Sequence, residues 1–164
     1  MAVDTRSKIK SVEELKVLVR EAQSRGLRVV FTNGCFDLLH VGHIRYLQAA
    51  RALGDLLVLA INSDASVRAG KGRGRPIQSQ EDRVEILTSF ECVDYLVVFD
   101  EPTVDMLLLD LKPDVHAKGT DYTVETVPER ETVLSYGGVV AIAGDPKDHS
   151  TRDLIRAVLS SSRL

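Results

Sequence analysis

Apolar residues recur along this chain at two spacings, and the two spacings alternate. The first stretch has helical periodicity, because Leu15 and Leu18 lie three residues apart and the period continues to Ala22. Ser11 and Glu14 have the spacing of a capping box, in which each side chain accepts a hydrogen bond from the other residue's backbone. The pattern therefore predicts a helix over 11–26.

Short runs rich in Val, Ile and Leu follow, separated by further helical patterns. The predicted strands are 28–32, 56–61, 95–99, 113–117 and 138–143. The other predicted helices are 41–53, 80–90, 102–111, 128–136 and 150–159. This alternation indicates an α/β protein with a Rossmann-like, doubly wound parallel sheet of about five strands. In such sheets a ligand binds beyond the carboxyl ends of the strands.

Two segments do not follow the pattern. Residues 1–10 are polar and mixed in charge, and we expect them to form a flexible tail. Residues 69–76 are rich in glycine and basic residues, and we expect a mobile loop there. The predicted organisation is the tail over 1–10, an N-terminal helix over 11–26 and one domain over 27–164.

Composition narrows the class of protein. The chain has 164 residues, 44% of them hydrophobic and 27% charged, which is typical of one globular domain. A net charge of −3 argues against binding to nucleic acid or to an anionic membrane surface. The longest apolar run is far too short to cross a bilayer. With only Cys35 and Cys92, widely separated, we expect a reducing, cytoplasmic location.

The segment after the first strand contains the most specific chemistry. His40 and His43 are three residues apart at a predicted helix start, so they share one helix face. Gly42 between them allows a close approach to the backbone. Because a helix N-terminus attracts anions, the segment predicts a phosphate site with two imidazole donors. The alternatives are a metal site, for which neither cysteine has suitable spacing, or two structural histidines.

Four other features fall at predicted strand-to-helix connections or beside them. Lys71, Arg73 and Arg75 form either a cationic flap that closes over a triphosphate or a solvated loop. Ser150 is a helix cap, and such a terminus also binds phosphate. Arg83 either reaches phosphate or pairs with a neighbour such as Glu85. Two roles are open for Asp37, which are orienting the histidines or helping to hold a metal.

These motifs resemble those of a known family. Gly34-Cys35-Phe36-Asp37 followed by His40-Val41-Gly42-His43 resembles the signature of the HxGH nucleotidyltransferases, the cytidylyltransferase-like group. Matches over about three quarters of the chain resemble, more closely, the nucleotidyltransferases of ADP-heptose synthesis. They are Asn62–Ser66, Lys71-Gly72, Arg75-Pro76, Arg83, Lys118-Gly119, Asp121-Tyr122 and Ser150-Thr151. The chain departs from the family at Thr120, where Gly is more common, and at Arg152, where Ser or Thr is usual.

The resemblance implies a nucleotidylyl transferase fold and a set of site residues. Its catalytic residues would be His40, His43 and Lys71. Its nucleotide- and phosphate-binding residues would be Thr32, Asn33, Gly34, Phe36, Gly42, Arg83, Lys118, Gly119, Asp121, Ser150 and Thr151. Further candidates are Asp37, Asp64, Arg73 and Arg75. No residue is assigned to a metal, and Mg²⁺ would be bridged by the substrate phosphates.

The implied reaction joins ATP to a sugar 1-phosphate, with heptose 1-phosphate as the acceptor, and releases pyrophosphate. The resemblance also implies a homodimer and a separate sugar kinase upstream. One alternative is a CTP-dependent enzyme acting on glycerol or ethanolamine phosphate. That branch usually has an Arg shortly before its Ser-Thr pair, where this chain has Asp145-Pro146-Lys147-Asp148. A second alternative is a nucleotide sensor that binds without catalysis.

Overall fold

The computed structural model describes residues 4–162, which form a parallel sheet with helices on both faces. The strands are β1 (Val29–Gly34), β2 (Leu56–Asn62), β3 (Tyr95–Phe99), β4 (Val115–Lys118) and β5 (Val139–Ile142). The helices are α1 (Val12–Ser24), α2 (Val41–Arg51), α3 (Asp64–Lys71), α4 (Gln80–Thr88), α5 (Asp105–Leu111), α6 (Arg130–Ser135) and α7 (Thr151–Ser161). Between residues 4 and 162, no helix combines the length and apolar character needed to cross a membrane.

The strand order is β3-β2-β1-β4-β5, and every pairing is parallel. The predicted doubly wound sheet of about five strands is therefore confirmed. The chain leaves β1 toward β2 on one side and returns to β4 on the other, so the direction of winding reverses between β1 and β4. A crevice forms at such a reversal, beyond the carboxyl ends of the strands.

Two apolar clusters cover the two faces of the sheet. One joins α1, α5 and α6 to the sheet and includes Leu15, Phe31 and Leu108. The other joins α2 and α4 to the opposite face and includes Leu47 and Leu87. Because both faces are covered, the central strands are apolar throughout rather than alternating, as the sequence of β2 shows.

Residues 4–10 differ from the expected tail, whose first three residues lie outside the described part. A short 3₁₀ helix spans Thr5–Lys8. The Lys8 ammonium donates to the Phe90 carbonyl at 2.9 Å, and the Lys10 N–H donates to the Leu96 carbonyl at 2.9 Å. The segment attaches here because β3 is the outermost strand and offers backbone acceptors with no other partner strand.

The basic segment also differs from the expectation of a loop over 69–76. Helix α3 begins at the cap Ser63, whose hydroxyl accepts from the Ser66 N–H, and the helix buries Val67. It continues to Lys71 and stops at Gly72, which has a φ of 89°. The glycine-rich loop is therefore shorter than predicted, and Lys71 is held at the end of a helix.

Candidate active site

A cleft of about 1070 Å³ opens at the carboxyl ends of β1 and β4. The N-termini of α2 and α7 both face it, so two helix dipoles present their positive ends to the same space. The cleft also receives the end of α3 and the connection from β5 to α7. The predicted candidates that line it are Asn33, Gly34, Phe36, Asp37, His40, Gly42, His43, Lys71, Arg75, Lys118, Gly119, Asp121, Ser150 and Thr151.

The two histidines form a reciprocal cap at the start of α2. The Gly42 N–H donates to Nδ1 of His40 at 3.1 Å, and the His40 N–H donates to Nδ1 of His43 at 3.3 Å. Since both Nδ1 atoms accept, the proton of each neutral ring is on Nε2. The rings lie 4.0 Å apart between centroids, so the pair can present two adjacent Nε2–H donors.

Both imidazoles are held neutral. Burial lowers the pKa of His43 to about 4, with further lowering by His40, Lys71 and Lys147. Burial also lowers the pKa of His40, and electrostatic repulsion from His149 and Lys147 lowers it further. At neutral pH the pair therefore acts through neutral N–H donors rather than through imidazolium charge.

Gly42 is required by the histidine pair itself. A Cβ at this position would lie 2.9 Å from Cε1 of His40, which is closer than van der Waals contact allows. Gly34 has a similar role, because a Cβ there would lie 2.9 Å from the Phe36 ring. The Phe36 ring packs against His43, with centroids 5.4 Å apart, and is almost fully buried. Both glycines thus allow aromatic rings to pack closely under the cleft.

The hydrogen bonds of Asp37 indicate a third role, besides the two that the sequence left open. Its carboxylate accepts from the backbone N–H groups of Ile77 and Gln78 at 2.8 and 3.0 Å, and from Nε of Arg75 at 2.8 Å. Burial alone would raise the pKa of Asp37, but the bonds from Gln78, Ile77 and Arg75 outweigh it and lower that pKa. Asp37 therefore anchors the loop that follows α3, and Arg75 is tied to it.

The start of α7 supports both of its predicted roles. Ser150 is the cap, because its hydroxyl accepts from the Asp153 N–H at 3.1 Å. The Thr151 hydroxyl donates to the carbonyl of Asp37 at 2.9 Å, which ties α7 to the segment after β1. Both residues line the cleft, so the first N–H groups of α7 face it.

The cleft contains basic residues that sequence reasoning missed. Arg45 pairs with Asp145 at 3.5 Å, and Lys147 pairs with Asp121; all four residues line the cleft. His149 also lines the cleft, as does Arg152, which was noted only as a departure from the family. Two of them, Lys147 and His149, could have been found by position, because they lie in the connection after β5, at the ligand-binding edge of the sheet.

Four predicted residues are not brought into the cleft. Thr32 is fully buried, and its hydroxyl bonds to the Ala117 carbonyl at 3.0 Å and to the Tyr46 hydroxyl. Arg73 is exposed in the loop after α3 and does not line the cleft. Asp64 pairs with Arg83 at 2.8 Å, and both lie outside the cleft.

Arg83 is the clearest correction, because the sequence suggested phosphate binding or a surface ion pair. Its side chain is 0% exposed. One terminal nitrogen donates to the carbonyls of Cys35 at 2.6 Å and Asn62 at 2.9 Å, and the other donates to Asp64. The guanidinium therefore joins the ends of β1 and β2 to α4, and four of its five N–H donors bond to the protein.

Comparison with known proteins agrees with this site. The sequence profile of the cytidylyltransferase-like family matches residues 31–164. Bifunctional protein HldE of Pelobacter propionicus is 53% identical over 156 residues, which are 95% of this chain and 32% of that protein. This chain thus spans about a third of the length of the curated relatives that it matches.

Two solved structures share the fold. The lipopolysaccharide core biosynthesis protein from Thermoplasma volcanium has a TM-score of 0.61 and 28% identity, over 71% of this chain and 94% of that one. Pantothenate synthetase from Thermus thermophilus has a TM-score of 0.63 and 18% identity, over 90% of this chain and 67% of that one. The family match includes the histidine pair, the cleft and the strands that place them. The chain belongs to the cytidylyltransferase-like family.

Proposed function

We propose that this chain is a nucleotidyltransferase that joins ATP to heptose 1-phosphate, releasing pyrophosphate and forming ADP-heptose. The observation that carries the proposal is the pair of neutral imidazoles, His40 and His43, whose Nε2–H donors are fixed at a helix N-terminus facing the cleft. The heptose acceptor rests on the motif resemblance and on the similarity to HldE proteins. The name of the Thermoplasma volcanium protein, which refers to lipopolysaccharide core biosynthesis, supports the same acceptor class.

The reaction needs positioning and charge stabilisation more than proton transfer. An oxygen of the acceptor phosphate attacks the α-phosphorus of ATP, and the bond from that phosphorus to the bridging oxygen breaks in line. Pyrophosphate leaves with the bonding electrons. Because the acceptor phosphate is already an anion near neutral pH, no strong base is required. Nε2–H groups of His40 and His43 donate to the phosphate oxygens on which charge increases.

The remaining cleft residues divide between the two ends of the substrate. The N-terminus of α7, with Ser150 and Thr151, holds the β- and γ-phosphates together with Lys71. By the family resemblance, Lys118 at the end of β4, and Gly119 and Asp121 just after it, would bind the base and the acceptor. Lys71 makes no ion pair with any residue between 4 and 162, so its ammonium is available to a polyanion.

The carboxylates beside the histidines favour a Mg²⁺ held mainly by the substrate phosphates. Among residues 4–162, no group of three or more His, Cys, Asp or Glu side chains is arranged to hold a metal. The oxygens of Asp37, the carboxylate nearest the histidines in sequence, already accept from Arg75 and two backbone N–H groups. We propose that Mg²⁺ enters with the triphosphate, where it would offset phosphate charge.

A pyrophosphate-release assay tests the function. ATP, CTP, GTP and UTP are each combined with heptose 1-phosphate, glucose 1-phosphate and glycerol 3-phosphate, with a His40→Ala/His43→Ala protein as the blank. ATP with heptose 1-phosphate is expected to give the highest kcat/KM. A clear preference for CTP with glycerol 3-phosphate would favour the alternative transferase. Nucleotide binding without release in any combination would favour the sensor.

Two partners belong to the proposal. One is a second copy of this chain, which is supported by α7: Leu154, Val158 and Leu159 are exposed, and no residue of that helix is buried. The other is a sugar kinase that makes the acceptor, supported by the word bifunctional in the names of relatives three times as long. A cytoplasmic location fits these substrates and the free thiols of Cys35 and Cys92.

Lys71→Ala is expected to raise the KM for ATP by about 10- to 100-fold, the scale of losing a charge-assisted contact. The thermal stability of the ligand-free protein should not change, because Lys71 is exposed at the end of α3. Arg68→Ala is the matched control, since Arg68 is exposed on the same helix outside the cleft.

Hydrogen exchange checks the same segment directly. With a non-hydrolysable ATP analogue, exchange over 69–75 should slow in the wild type, because binding orders a stretch with three glycines and three cations. Equal exchange with and without the analogue, or a lower melting temperature for Lys71→Ala, would show that the segment is structural.

A further inference from the structure

A buried histidine outside the cleft contacts a residue that lines it. His116 lies in β4 opposite Phe31 of β1, and its ring packs on the Phe31 ring with centroids 5.6 Å apart. Side chains two residues apart on a strand share a face, so Lys118 and Asn33 follow on the same side of the sheet. There Nε2 of His116 lies 3.0 Å from Oδ1 of Asn33.

Lys118 fixes which atom of the Asn33 amide faces His116. Nζ of Lys118 lies 3.5 Å from the same Asn33 atom, and 3.5 Å from Oε2 of Glu129. An ammonium can only donate, so the amide atom between it and His116 is the oxygen. The oxygen can only accept, and therefore His116 donates to it through Nε2–H.

The other ring nitrogen of His116 agrees with this assignment. Nδ1 is buried and has no hydrogen-bond partner among the described residues. Burial lowers the pKa of His116 to about 3, assisted by Lys118, so the ring is neutral with one proton. With that proton on Nε2, the unpartnered Nδ1 carries a lone pair and no hydrogen. The opposite tautomer would bury an unpaired N–H and turn the amide NH₂ toward an ammonium, which is costlier on both counts.

The geometry points to His116 as a positioning residue that acts through Asn33. With Oδ1 receiving donors from His116 and Lys118, the Asn33 amide is locked and its Nδ2 is left for the cleft that Asn33 lines. Nδ2 then donates to a phosphate oxygen of the bound substrates. This inference rests on the proposed function, because the Asn33 Nδ2 group has a role only if a phosphate binds in the cleft.

A double-mutant cycle in the pyrophosphate assay tests the coupling. His116→Leu should lower kcat about tenfold, the scale of one misplaced hydrogen bond, while the melting temperature stays the same or rises because a buried orphan nitrogen is removed. His116→Gln, whose amide NH₂ can replace Nε2–H, should restore kcat. In an Asn33→Ala background, His116→Leu should have no further effect. Equal losses in both backgrounds, or unchanged kcat in His116→Leu, would overturn the inference.

NMR separates failure of this inference from failure of the proposed function. In ¹⁵N-labelled wild-type protein, the His116 ring is expected to be the Nε2–H tautomer. When a non-hydrolysable ATP analogue is added, hydrogen exchange of the Asn33 side-chain amide with solvent is expected to be slow. An Nδ1–H tautomer would overturn the inference even if the enzyme is active. A third outcome combines the Nε2–H tautomer, a change in the Asn33 amide chemical shift on adding the analogue, and no pyrophosphate release with any acceptor. That outcome would support the positioning role of His116 and contradict the transferase function.

Discussion

His43→Ala is expected to lower turnover by about 10²- to 10³-fold, the usual effect of removing one donor that stabilises a developing anion. The fold should be retained, because His43 contributes only one bond to the start of α2, from the His40 N–H at 3.3 Å. Losing such a cap contact costs about 1 kcal/mol. Pyrophosphate release and the melting temperature are the two measurements. Near-normal turnover in a folded His43→Ala protein would remove His43 from the mechanism.

The effect of His43→Ala on turnover should not depend on pH near neutrality. Because burial lowers the pKa of His43 to about 4, the neutral donor persists across pH 6–8 and is lost only as the pH falls toward 4. The ratio of wild-type to variant turnover should therefore be the same at pH 6 and pH 8. His43→Gln is the matched control, since its amide can still donate and should lose less. A ratio that changes about fourfold between pH 8 and pH 6 would mean that His43 titrates near its ordinary value.

Arg83→Met is expected to lower the free energy of unfolding by about 2–4 kcal/mol, because each acceptor left without its donor costs about 1–3 kcal/mol. The substitution keeps much of the side-chain volume. It leaves the carbonyls of Cys35 and Asn62 without their donor and Asp64 without its partner. Chemical denaturation measures the loss. Arg20→Met is the matched control, because Arg20 is an exposed helical arginine and its replacement should change stability by less than about 0.5 kcal/mol.

A second variant keeps this prediction testable if Arg83→Met does not fold. Arg83→Lys retains the charge but has too few donors for all the acceptors, so it should give an intermediate stability. If both variants match the wild type within about 1 kcal/mol, Arg83 does not stabilise the fold. If a variant has a normal free energy of unfolding but a raised KM for ATP, Arg83 binds phosphate after all, contrary to its buried position in the structure.

The histidine pair could be predicted from sequence because its geometry is local. His40 and His43 lie within one turn of helix α2, and the resemblance to an HxGH signature named the same residues. The cap hydrogen bonds that set their tautomers also join residues two or three apart. The alternation of strands and helices was local in the same sense, which is why the parallel sheet was predicted correctly.

Arg83 and Thr32 could not be assigned from sequence because their partners are distant along the chain. Arg83 bonds to carbonyls 48 and 21 residues away, and Thr32 to one 85 residues away. Only the strand order brings those acceptors close, and periodicity does not determine strand order.

Helix α3 was missed for a different reason. Its cap Ser63 and its buried Val67 are local signals, but the glycines that follow favoured a loop.

The pairing of residues 9 and 10 with β3 has a consequence for how the protein behaves in solution. Outer strands with bare backbone groups can recruit strands from other molecules, which is one route to aggregation. At β3 the contact between Lys10 and Leu96 blocks part of that route. The other outer strand, β5, carries the half-exposed Val139 and has no such strand beyond it in the described chain. Self-association through sheet edges should therefore begin at β5. Removing residues through Lys10 would expose the backbone of β3 as a second edge that can pair with other molecules.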